Sequence, residues 1–179
     1  LLAGNTAHYD AVIHSLQARG LRVIPAFASG LDARPAMDRF FKNGGDSKIQ
    51  SLVSLTGFSL VGGPAYNDAS AAEVALSELD VPYIAAHPLE FQSIEQWGGS
   101  TRGLLPVENT IMVAIPELDG SILPMVYGGR PGPAGQTCTG CDKRCTFPTG
   151  PRSQDMFTCT ERTEMLTARV ERLVRLRDK

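Results

Sequence analysis

With 179 residues, of which 42% are hydrophobic and 20% charged, the chain has room for one α/β core and the composition of an ordinary globular domain. No window approaches the roughly 20 apolar residues of a membrane span, so no integral membrane contact is expected. A formal charge of -2 and a pI near 5.9 exclude the broad cationic field that holds DNA or RNA, so no nucleic-acid partner is expected.

The opening Leu1-Leu2-Ala3-Gly4 has no initiator Met, basic n-region or cleavage site, and reads as cut from something larger. Leu1 to Ala3 reads as the tail of a strand. Gly4-Asn5-Thr6 supplies a turn with Asn5 or Thr6 as N-cap of a helix over Ala7 to Arg19, whose Val12, Ile13 and Leu16 fall at helical spacing. Gly20 stands where a left-handed C-cap residue is wanted, and Leu21 to Phe27 reads as a strand. The pattern repeats: a loop over Ser29 to Asp32, a helix from Arg34 to Phe41, Gly44-Gly45, and a buried strand over Ser51 to Leu55. After a glycine-rich loop from Thr56 to Asp68 come a helix over Ala69 to Leu79 and a strand over Val81 to Ala85.

This alternation predicts an α/β fold: a flavodoxin-like, doubly wound, mostly parallel sheet with helices on both faces. Farther along, the sequence predicts a short helix over Ser93 to Trp97 and strands at Thr110 to Ile115 and Met125 to Tyr127. Gly128 to Gly150 is rich in glycine and proline and reads as a loop or insert, and Glu161 to Arg177 as a closing helix with one buried stripe. The expected organisation is an α/β domain over 1–130, a Cys-containing insert over 131–159, and a C-terminal helix over 160–179 packed on the same domain.

Three stretches could carry chemistry. The loop from Leu55 through Gly57, Phe58, Gly62 and Gly63 to Pro64 follows a central strand, at the sheet end where open α/β folds bind ligands. Its glycines would let a flat ligand approach the backbone and Phe58 would offer an aromatic face; the plain alternative is a long crossover loop. Its spacing matches neither GxGxxG nor GxxxxGK[ST], which excludes nucleotide binding there. At the end of the strand expected over Thr110 to Ile115, Glu117 and Asp119 could point the same way and share a cation or protons, although Asp119-Gly120 is also a common turn pair.

All four cysteines lie close together: Cys138, Cys141 and Cys145 in a CxxCxxxC run, and Cys159 beyond Pro148 and Pro151. Such thiolates can converge on one ion or cluster, with an iron–sulfur cluster the first expectation and Zn2+ the alternative. His8, His14 and His87 are too dispersed to form a motif, and no G-x-S-x-G elbow anchors hydrolase chemistry.

The stretch Leu1 to Asp10, the run Val23-Ile24-Pro25-Ala26-Phe27-Ala28-Ser29-Gly30-Leu31-Asp32 and the Leu55 to Asp68 loop resemble the large (H) subunit family of magnesium chelatases. So do Val81 to Ile84, Phe91-Gln92, Gly103 to Glu108 and Val113 to Gly120. The large subunit of cobalt chelatase is a more distant likeness. The resemblance covers nearly the whole chain and implies an internal segment of a much longer subunit that binds protoporphyrin IX. In that family Mg2+ is the substrate ion, and ATP is bound and hydrolysed by two smaller partner subunits rather than by this chain. The implied partners are thus the remainder of the large subunit, the two smaller subunits and the porphyrin, in the cytoplasm. The family's His-Gly-x-x-Glu stretch, associated with metal insertion, does not occur here, so the catalytic residues are expected elsewhere. The cysteine set departs from the plant-type pattern and fits the bacteriochlorophyll-making bacteria better. On this reading the contacts are Thr56, Gly57, Phe58, Gly62 and Gly63 as backbone approach, Glu117 and Asp119 as acidic groups, and Arg102 and Arg130 as propionate partners.

Overall fold

A computed structural model of the chain describes residues 4–63 and 66–177. The strand tail expected at Leu1 to Ala3, and Pro64 of the glycine loop, lie outside the described residues. The first helix, α1 (Ala7–Ala18), buries His8, Val12 and Leu16 at a spacing of four and ends where Gly20 takes φ +78. Thr6 occupies the N-cap position without a capping bond; its hydroxyl donates instead to Asp10 at 3.0 Å. Helix α2 (Arg34–Phe41) buries Met37 and Phe41 and carries Pro35 in its first turn, where a missing N–H costs nothing. Helix α3 (Ala69–Leu79) starts on Asp68, whose carboxylate accepts the Ala71 N–H at 3.0 Å.

Between α2 and α3 lie a two-stranded hairpin, β1 (Lys42–Asn43) with β2 (Asp46–Ser47), and the first strand of the main sheet, β3 (Leu52–Ser54). That sheet runs in the order β3, β4 (Tyr83–Ser93), β5 (Ile122–Arg130), β6 (Phe157–Thr158), with the first two pairings parallel and the last antiparallel. Strand alternation divides the core. Tyr83 and Ala85 of β4 pack with Met37 and Phe41 of α2 and Ala72, Ala75 and Leu79 of α3. Ile84 and Ala86 turn the other way, with Met125 and Tyr127 of β5, onto Val12 and Leu16 of α1 and Leu166, Val170 and Val174 of α7 (Thr160–Arg177). Helices therefore cover both faces of a mostly parallel sheet, the α/β arrangement expected.

Two strands expected from sequence are absent. Leu21 to Phe27 forms no regular secondary structure and, among the described residues, no sheet pairing, with Leu21 and Val23 packed against the second core. Thr110 to Ile115 is helical: α5 (Pro106–Asn109), a π-turn over Thr110–Ala114 and α6 (Ile115–Leu118) follow one another directly. The β-branched run that suggests a strand is overridden by its start. Pro106 sits in the first turn, and the fully buried Glu108 accepts the Leu105 N–H at 3.1 Å and the Gln92 N–H at 3.1 Å. The π-turn has a cause as well: an α-helix would aim the Met112 carbonyl at residue 116, where proline has no N–H to give. Beyond these, the β1–β2 hairpin and β6 are not expected from the sequence, β4 runs on to Ser93 and β5 spans Ile122–Arg130. Helix α4 (Ile94–Gly98) forms where expected, with a Ser93–Gln96 capping box. Among the described residues no helix is long and apolar enough to cross a membrane.

Candidate functional site

The loop leaving the carboxyl end of β3 folds onto itself instead of lying open. Gly57, at φ +77, packs so closely on the buried His87 ring that a Cβ there would stand 3.1 Å from Nδ1. Val61 bridges Asp32, and Gly62, at φ +118, turns the chain back to bridge Asn67; a Cβ on Gly62 would lie 2.1 Å from the Tyr66 carbonyl oxygen. The Gly63 N–H donates to that carbonyl at 2.6 Å. These glycines are thus used for close contacts within the fold. Thr56 is exposed and Phe58 half-buried, which leaves them the accessible members of the loop.

Asp119, only 2% exposed, fastens the loop from across the sheet: the Leu60 N–H donates to its Oδ2 at 2.8 Å and the Asn67 amide to its Oδ1 at 3.4 Å. Burial pushes its carboxyl above the ordinary value of 3.8, against the opposing pull of bonds from Ser59, Leu60 and Asn67. Glu117 is exposed at the end of α6. The expectation of two carboxylates side by side on a strand is therefore corrected: the segment is the end of a helix, where a two-residue step turns the side chains about 200° apart rather than onto one face. Arg102, in the loop between α4 and α5, and Arg130, at the end of β5, are both exposed.

Sequence reasoning passed over His87 as one of three dispersed histidines. It is 1% exposed; the Met112 backbone stands beside the ring, yet neither ring nitrogen completes a hydrogen bond. Burial lowers its pKa from 6.5 to about 4, and that of His8 likewise to about 4. A folded pKa below the unfolded one contributes stability above pH 6.5 that is lost as pH falls toward 4. His87 alone is expected to make the chain roughly 2 kcal/mol less stable at pH 5 than at pH 8. His87→Phe should flatten that part of the denaturant-measured profile, and an unaltered acid limb would rule the account out.

The cysteines do gather in one place. Thr137 and Thr146 bridge to close a small hairpin, within which the Cys138 N–H donates to the Cys145 carbonyl at 2.8 Å and Arg144 adopts φ +46. Gly140 presses on α4, where a Cβ on Gly98 would be 2.7 Å from the Gly140 Cα. Cys159 precedes α7 and lies near Cys141 and the Arg162 backbone, and Cys145 Sγ lies 3.8 Å from the Thr160 hydroxyl. Burial raises the Cys159 pKa to about 11 and also raises that of Cys138, with the neighbouring thiols adding to both shifts. Cys138 and Cys159 share the third core cluster with Leu89, Ile94, Met112, Val126 and Phe147. All four cysteines are free. Against the expectation of a ready metal centre, no three His, Cys, Asp or Glu side chains form a closed metal site among the described residues. The thiols are neighbours without a coordination sphere.

Comparison with known proteins agrees with the resemblance. A family model described as CobN/magnesium chelatase matches residues 1–179. The chain is 52% identical, over 177 residues, to the H subunit of the magnesium chelatase of Rhodobacter capsulatus, an alignment that covers 99% of this chain and 14% of that protein. It is 48% identical over 132 residues to the chloroplastic magnesium-chelatase ChlH subunit of Oryza sativa subsp. indica, covering 73% of this chain and 10% of that one. It is 28% identical over 121 residues to the aerobic cobaltochelatase CobN subunit of Sinorhizobium sp., covering 68% and 9%. The chain thus spans about one seventh of the length of its Rhodobacter capsulatus relative. No solved structure gives a significant match.

Proposed function

Since the chain belongs to the CobN/magnesium chelatase family, we propose that it is a segment of the porphyrin-binding large subunit of a magnesium chelatase. In that complex Mg2+ is inserted into protoporphyrin IX while two smaller subunits bind and hydrolyse ATP. The observation that carries this reading is 52% identity, sustained over 99% of the chain, to the large subunit of a bacterial magnesium chelatase. On this reading the complex is cytoplasmic, residues 1–130 form the α/β layer, 131–159 the insert that carries all four thiols, and 160–179 the closing helix. The segment contributes walls to a porphyrin slot and not the whole of it, since enclosing a macrocycle takes surfaces from several elements.

Thr56, Phe58, Glu117, Arg102 and Arg130 are exposed or half-buried and so free to meet a ligand or a neighbouring part of the subunit. Gly57, Gly62, Gly63 and Asp119 are engaged in contacts within the fold. Alanine at Phe58, Glu117 and Arg130 together, in the full subunit, is expected to weaken porphyrin binding severalfold. Unchanged affinity and unchanged magnesium insertion would remove these residues from the contact.

One observation favours a second reading, a structural or docking module: the glycine loop is closed on itself and fastened by Asp119. In either reading the four thiols are suited to an iron–sulfur cluster, with Zn2+ the alternative. Three thiols come from one hairpin and the fourth from the start of α7, and none is committed to a disulfide. A cluster would add one-electron chemistry or oxygen sensing to the subunit; zinc would fasten the insert to α7.

A further inference from the structure

Strand β6 pairs with β5 only at Gly128 and Gly129, so the earlier part of β5 has no strand beyond it. Beside that stretch lies a cavity of about 250 Å3 with apolar walls from Leu104, Met112 and Val126. Its polar lining is unusual for what it lacks. Arg162 and Arg169 are seven residues apart on α7, two turns along one face, and both line the cavity half-buried. Neither takes part in a salt bridge; the bridges among the described residues all use other cations. The Arg162 guanidinium lies over the Trp97 ring, 4.6 Å from its centroid. Arg169 Nη1 donates to the sulfur of Met125 at 3.5 Å, a weak acceptor for a cation. Two guanidiniums lining one cavity without a carboxylate partner are placed to take an anion.

The third polar group is His87, almost wholly buried and with both ring nitrogens unpartnered. Its Nδ1 lies against Gly57, and the ring forms part of the cavity lining. A planar carboxylate matches this set: guanidiniums bind its oxygens in a fork, and a neutral imidazole donates one further bond. The rest of the lining, with Trp97, Leu104, Met112 and Val126, suits an apolar or aromatic body.

We propose that this cavity seats a carboxylate arm of the macrocycle, held by Arg162 and Arg169 with His87 at its floor and Trp97 against the adjoining ring edge. The inference rests on the porphyrin reading given above and assigns it a point of attachment. At about 250 Å3 the cavity takes an arm and a ring edge, not an entire tetrapyrrole.

Trp97 is the only tryptophan of the chain, so its emission reports binding without a label. The test titrates the chain with deuteroporphyrin IX and with its dimethyl ester, comparing the natural sequence, the double variant Arg162→Gln/Arg169→Gln and the charge-retaining Arg162→Lys/Arg169→Lys. Circular dichroism and thermal midpoints establish that each variant is folded. The proposal expects the free acid to quench Trp97, the ester to bind at least tenfold more weakly, the glutamine pair to lose the same factor, and the lysine pair to fall between. Equal affinity of acid and ester, or of the natural chain and the glutamine pair, overturns the arginine seat and leaves the porphyrin reading standing. No binding of the free acid overturns the seat as well, and the porphyrin reading is then decided by the segment exchange that closes the Discussion.

Discussion

Asp119→Ala is expected to destabilise the chain by about 4 kcal/mol, a fall of roughly 10 °C in Tm. The carboxylate is remote in sequence from the loop it fastens, yet it receives the buried Leu60 N–H at 2.8 Å and the Asn67 amide. Alanine leaves that N–H without a partner in a place water does not reach, and opens a small void beside it. Asp119→Asn keeps an acceptor oxygen for Leu60 and should cost much less. The two substitutions also differ with pH. Because burial holds the folded pKa above the unfolded value of 3.8, this group's contribution is full below that value and declines as pH rises through the folded pKa. Asp119→Asn removes that decline. Denaturant titrations from pH 3 to 8 check both statements; an alanine variant within about 0.5 kcal/mol of the natural chain would show that the loop is held by other contacts.

On the proposed thiolate centre, serine in place of Cys159 or Cys138 is expected to weaken metal retention by the anaerobically purified chain at least tenfold. A serine hydroxyl neither ionises near neutral pH nor offers a soft donor, so a set of three thiols should hold a cluster at least tenfold more weakly. The two buried positions should also lower Tm more than the half-buried Cys141 and Cys145, because their sulfurs fill the core cluster with Phe147 and Leu89. Elemental analysis with an ultraviolet–visible spectrum separates the outcomes. Iron, sulfide and a broad band near roughly 400 nm identify a cluster, and one zinc per chain a structural fastening. A natural chain free of both metals would contradict a thiolate centre.

Helices were the most legible part of the fold, because their signals are local. Arg34–Phe41 and Ala69–Leu79 follow from apolar spacing with Pro35 and Asp68 at their starts, and Gly20 marks the end of α1 as a left-handed residue should. Thr110 to Ile115 reads as a strand because β-branched residues dominate it, while what makes it helical is the contact of Glu108 with Gln92, 16 residues earlier in the chain. Leu21 to Phe27 has the composition of a strand, but pairing needs a neighbour that composition does not supply. The same distinction governs the sites. The cysteine set is legible from spacing, since three of the four lie in one run. The part played by Asp119 is not, because its chief partner is 59 residues away. Nor are Arg162 and Arg169 distinguishable in sequence from the other arginines of a charged helix; their shared place in the lining of one cavity sets them apart.

The family reading is tested most directly by exchange. The segment of the Rhodobacter capsulatus large subunit that aligns with this chain, 14% of that protein, is replaced by residues 1–179, and the hybrid is assayed for porphyrin affinity and for ATP-dependent magnesium insertion with its partner subunits. The account predicts that the hybrid binds porphyrin within a fewfold of the parent and inserts magnesium. A hybrid that is folded and monodisperse yet binds no porphyrin would contradict it.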